Sequence, residues 1–194
     1  AVPHILASIR AAGFQPGDVR WIVSSHEHYD HVGGLAGLKA ATGASVAAGA
    51  TAKQALESGQ VSNEDPQASI HEAFAPVSVE KVLRDGEVLT LGPLRLTMHE
   101  NPVHAAGSVS WTWVSQGPDG KPVTVTYADS SSTISADGYR FVDHPHRMAA
   151  IASGLEKIAT LPCGILLTPH PGQSDMFERL AGRADPGARR AGGT

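Results

Sequence analysis

Hydrophobic and polar positions along this chain alternate with two different periods. Ile5, Ile9 and Ala12 fall on one helical face, with Pro3 in the first turn and Gly13 just past the last. That pattern predicts an opening helix. Arg20 to Ser24 is a short β-prone run, and Leu35 and Leu38 are spaced for a helix that stops at Gly43. Ser45 to Ala48 reads as the next strand and Thr51 to Ser58 as another helix. The stretch on to Pro76 reads as a polar loop. Val88–Leu91 and Leu94–Met98 flank Gly92-Pro93, a turn signal. Leu94, Leu96 and Met98 alternate with Arg95, Thr97 and His99 at strand period. Val109, Trp111 and Trp113 do the same, and Val123, Val125 and Tyr127 resume after a turn at Gln116–Gly120, which predicts a hairpin. Met148, Ile151, Leu155 and Ile158 predict a helix buried along that face, followed by a short strand at Ile165–Leu167. The whole reads as one α/β domain over residues 1–183, with helices covering sheets and a loose tail over 184–194.

Composition narrows the possible functions. At 194 residues and 41% hydrophobic content the chain can build one sizeable core. The net charge of -4 argues against a nucleic-acid partner. No apolar run reaches the ~20 residues of a membrane span. Cys163 is the only cysteine, which excludes an internal disulfide framework and any multi-cysteine zinc site. Ten histidines are the unusual count.

Three of them matter for their spacing. His26-Glu27-His28-Tyr29-Asp30-His31 packs three imidazoles and a carboxylate into six positions. Such a pattern arises by chance in roughly one such chain per thousand. In an extended chain residues two apart share a side, so His26, His28 and Asp30 are expected to face one space and His31 the other. Nitrogen and oxygen donors of this kind suit Zn²⁺. The stretch could serve two metals, His26 and His28 on one, Asp30 and His31 on the other. His104 and His170 each follow a predicted strand and would complete the two sets. His4, His71, His99, His144 and His146 read as surface or loop-packing residues, with His144 the one that could approach a cleft.

The His26-x-His28-x-Asp30-His31 pattern, followed by distant His104 and His170, resembles the metallo-β-lactamase superfamily. Ser25–Ala36, Gly107-Ser108-Val109-Ser110-Trp111-Thr112-Trp113, Tyr127-Ala128-Asp129-Ser130 and Leu167-Thr168-Pro169-His170-Pro171 look like its subclass B3. The resemblance implies the αβ/βα sandwich, with the metals at the edge between two sheets. It implies a first zinc on His26, His28 and His104 and a second on Asp30, His31 and His170. Ser130 stands where other subclasses carry a cysteine ligand. Ser130 and Ser132 would hydrogen-bond metal-bound water or a substrate carboxylate. The implied activity is zinc-dependent hydrolysis of β-lactam antibiotics by a metal-bound hydroxide, giving resistance, with Asp30 and His104 as catalytic residues. The implied enzyme is a periplasmic or secreted monomer acting on a small molecule. Two other readings stay open at this point. One is another hydrolase of the superfamily (a lactonase, a glyoxalase-type thioesterase or a phosphodiesterase), in which Asp129 would bridge the metals. The other is a non-catalytic zinc-binding member.

Three departures from the family pattern set further expectations. The family reads Pro-Gly-His-Thr around the third histidine, and here it is Pro102-Val103-His104-Ala105. Valine does not readily take the positive φ that glycine permits. Family members begin upstream with additional strands, and Cys163 stands where relatives pair with a second cysteine. The reading is therefore of a domain truncated at its N-terminus and C-terminus, with an open sheet edge near its start.

Overall fold

The computed structural model describes residues 1–182. The expectations for the tail over 184–194, and for Arg183 at the end of the domain, lie outside the described residues. Helices are α1 (Val2–Ala11), α2 (Tyr29–Val32), α3 (Leu35–Thr42), α4 (Ala50–Ser58), α5 (Pro145–Thr160) and α6 (Met176–Leu180). Strands are β1 (Trp21–Ile22), β2 (Ser45–Gly49), β3 (Lys81–Leu83), β4 (Val88–Leu91), β5 (Leu94–Glu100), β6 (Val109–Gln116), β7 (Pro122–Tyr127) and β8 (Ile165–Leu167). Two sheets result. The first is β1-β2-β3, all parallel, with β1 at an edge. The second is β4-β5-β6-β7-β8, antiparallel except for the parallel β7/β8 pair.

Side chains of β2 alternate between two cores, as strand geometry requires. Val46 and Ala48 pack with Leu35, Ala52, Leu56 and Phe74 on the helix side. Ala47 points the other way and packs with Leu83, Leu89, Met98, Val109 and Trp111, between the sheets. A helix layer on a sheet facing a second sheet is the mixed α/β sandwich expected. Among the described residues no helix is long and apolar enough to cross a membrane.

Two sequence expectations need correction. The buried face of α5 is Arg147, Ile151 and Gly154, while Met148 and Leu155 are more than 40% exposed. Periodicity found the helix but set its face one position off, because a buried arginine and a glycine carry no hydrophobic signal. Strand β3 was also missed, being three residues emerging from the polar loop. The φ expected at Val103 is not needed: Asp175 is the only non-glycine with positive φ among the described residues.

Candidate metal centre

Segment 24–28 connects the two sheets. The Val109 amide donates to the Ser25 carbonyl at 2.8 Å and the Trp111 indole to the Ser24 carbonyl at 3.0 Å, so the start of β6 holds the chain entering the histidine cluster. Glu27 is turned inward and accepts from the Gly107 amide at 2.9 Å. A Cβ on Gly107 would lie 2.5 Å from Glu27 Oε2 and 2.8 Å from the Ala52 amide, so only glycine fits there. Burial outweighs that hydrogen bond and pushes the Glu27 carboxyl above its usual range.

The extended reading of the cluster holds only as far as His28. His28 is the N-cap of α2, and the chain then turns helically. His31 therefore does not point away. Its ring lies 3.9 Å from that of His26. Ligand atoms of His26, His28 and His104 lie within 4.8 Å of one another, as do those of His26, Asp30 and His31. His170, on the far side of the cleft, brings Nε2 to 3.6 Å from Asp30 Oδ2 and its ring to 5.0 Å from that of His31. Five of the six expected ligands fall in these two groups, and His170 lies beside the second of them.

Buried acceptors set the tautomer of each ring in the first group. His26 Nδ1 donates to Asp129 Oδ1 at 2.9 Å, His28 Nε2 to Asp65 Oδ2 at 3.1 Å, and His104 Nδ1 to the Ser132 carbonyl at 3.0 Å. Each ring is left with one nitrogen lone pair. His26 Nε2 is fully buried with no hydrogen-bond partner, an arrangement that costs free energy unless a cation is held there. Burial would raise the Asp129 and Asp65 carboxyls, but hydrogen bonds from His26 and His28 hold both below the usual range, so both accept as anions. Burial also pushes His104 down, and burial with His26 beside it pushes His31 down to about 4. Neutral imidazoles are the form that binds a metal. Asp30 is half exposed. Burial would raise it, but electrostatic coupling to His31, a backbone hydrogen bond and the nearby His26 and His170 keep it below its ordinary value. The donor set fits zinc.

The two serines line the same cleft with defined neighbours. Ser132 Oγ is 3.2 Å from His104 Nδ1, and Ser130 Oγ is 3.4 Å from the Gln173 side-chain amide. Gln67 Nε2 lies 3.5 Å from His104 Nε2. Asp65 and Gln67 carry no signal in the sequence, sitting in a loop with no period. The ring of His71, expected to be a surface or loop-packing residue, lies 4.0 Å from that of His28, tilted against it. His144 stacks on Tyr139 instead of approaching the cleft.

Residues 3–117 match the family model described as metallo-beta-lactamase superfamily. The metallo-β-lactamase MIM-1 from Novosphingobium pentaromativorans superposes with a TM-score of 0.92 at 55% identity, covering 95% of this chain and 67% of that one. MEM-A1, a subclass B3 metallo-β-lactamase from a soil metagenome library, gives 0.89 at 38% identity over 96% and 71%. A hydroxyacylglutathione hydrolase of Methylobacterium nodulans is 30% identical over 107 residues, 55% of this chain and 33% of that protein. The matched part spans about a third of the length of the curated relatives it matches. A family match over more than half the chain, on a fold that superposes on these enzymes along nearly its whole length, makes this chain a member of the metallo-beta-lactamase superfamily.

Proposed function

We propose that this chain hydrolyses β-lactams with two zinc ions, the first on His26, His28 and His104 and the second on Asp30, His31 and His170. The observation that carries the reading is the position of Asp129. In the rival hydrolases the corresponding carboxylate would bridge the metals. Here its Oδ1 is 2.9 Å from His26 Nδ1, on the opposite side of the ring from the free Nε2. In this reading it orients a ligand ring and is not itself a ligand. The likeness to MIM-1 and MEM-A1 supports the same reading.

Zinc bound at these residues would polarise a carbonyl oxygen and lower the pKa of a water. The chain's own groups do the rest. Asp30 draws His31 and His170 toward one carboxylate, at 3.2 and 3.6 Å. The cleft is about 440 Å³, within the usual range for a drug-sized ligand. Ile70 and Ile134, both exposed, form its apolar rim and would receive a substrate's hydrocarbon substituents. Gln67, Ser130 and Ser132 line the same cleft and would supply polar contacts, the serines to a substrate carboxylate.

The test is a side-by-side assay of the zinc-loaded chain on nitrocefin and on a hydroxyacylglutathione thioester. The reading expects opening of the lactam and little thioester cleavage. The reverse ratio would assign the chain to the glyoxalase-type hydrolases that its curated relative represents.

A further inference from the structure

Arg147, in the first turn of α5, is 6% exposed, and no carboxylate among the described residues forms an ion pair with it. A buried guanidinium needs hydrogen-bond acceptors to be tolerated. Its acceptors are two consecutive backbone carbonyls: Nη1 donates to Pro102 at 2.5 Å and Nη2 to Val103 at 2.7 Å. These are the two residues that precede His104. The planar fork has a fixed spacing between its N–H groups, so binding both oxygens fixes both peptide units.

The same face of α5 meets this loop again two turns on. A Cβ on Gly154 would lie 2.8 Å from Val103 Cγ2 and 3.1 Å from the Asn101 carbonyl carbon. Val103 is fully buried, and its amide donates to the Asn101 carbonyl at 2.6 Å, closing a tight turn. Valine stands where the resemblance expects glycine, so the turn cannot rest on glycine's backbone freedom. The turn takes ordinary backbone angles, and the helix holds it: an arginine ties down two carbonyls and a glycine leaves room for the valine. We propose that Arg147 is a positioning residue for His104, holding the Pro102–Val103 peptides so that the imidazole meets His26 and His28. The proposal rests on the metal reading of the site and is independent of the substrate.

Arg147→Met keeps most of the stem and removes the fork, and Arg147→Lys keeps a cation without the fork. Metal affinity is read by competition with a chromophoric chelator, metal geometry by the absorption spectrum of the cobalt-loaded protein, and folding by far-UV circular dichroism. The methionine variant is expected to bind one of two metals about 10- to 100-fold more weakly, with an altered cobalt spectrum. Lysine should recover only part of the loss. Gly154→Ala should weaken the same metal by pushing Val103, and Val103→Ala in that background should restore part of it. Folded Arg147 variants with parental affinity and spectrum overturn the proposal. If Arg147→Met does not fold, the Gly154 pair decides: parental affinity in Gly154→Ala overturns the proposal, and a loss relieved by Val103→Ala supports it. A parent chain that binds no metal overturns the metal reading itself, and this proposal with it.

Discussion

His26 Nδ1 lies 2.9 Å from Asp129 Oδ1, and neither side chain has any solvent exposure. This contact between the end of β7 and the loop after β1 fixes which nitrogen of His26 faces the cleft. Asp129 is itself held by its amide, which donates to Ser110 Oγ at 3.0 Å. Asp129→Asn keeps the shape and removes the charge that orients the ring. Zinc affinity should fall about 10- to 100-fold with the fold intact. Competition titration with a chelator, beside a circular dichroism spectrum, checks this; unchanged affinity would show that Asp129 does not hold the ligand.

Asp30 touches the two other rings of its group and is the only carboxylate among them. Asp30→Asn leaves neighbouring hydrogen-bond capacity but no anion. Nitrocefin turnover should drop on the order of 10²-fold, as for loss of a group that orients reactants, with weaker binding of one of two zincs. Steady-state kinetics and zinc content on the same preparation measure both effects.

His31 makes the metal-free protein sensitive to acid. Burial and His26 hold its folded pKa at about 4, against 6.5 for a free imidazole. Between those values the unfolded chain binds a proton that the folded chain does not. Stability should therefore fall as pH drops from about 6.5 toward 4 and gain nothing more from this group above 6.5. His104 and His71 shift in the same direction, and burial of Glu27 works in the opposite one. Comparing His31→Asn with the parent isolates the effect. Urea midpoints of the metal-free proteins at several pH values should show a shallower slope for the variant, and equal slopes would contradict the assignment.

Gly107→Ala tests how tightly Glu27 and α4 are packed behind the cluster. The added methyl has neither a free direction nor a flexible neighbour on the Ala52 side. The expected destabilisation is about 1–3 kcal/mol, read from the shift in denaturant midpoint.

Much of this site could be read before the fold was known. His26, His28, Asp30 and His31 lie in the segment from β1 into α2, and His104 and His170 lie in loops after β5 and β8, so ligand spacing is a strong local signal. The extended reading placed His31 on the wrong side because α2 is only four residues long, too short for a hydrophobic period to show. Asp65 and Gln67 could not be found at all. They reach His28 and His104 from 37 positions away, through a loop whose path is set by tertiary packing. Arg147 was hidden for a related reason: a charged residue in a helix pattern reads as solvated, and only the fold shows the carbonyls that pair with it. The parallel pairing of β1, β2 and β3 was also not legible, since strand period says nothing of which strands become neighbours.

Two zinc ions at this cleft are proposed to open a β-lactam ring. Zinc titrated into the metal-free chain, with bound metal and nitrocefin turnover measured in the same samples, tests it most directly. Turnover should rise with bound zinc, saturate near the second equivalent, and vanish on chelation. A chain that binds two zincs and hydrolyses nitrocefin no faster than buffer would contradict the account.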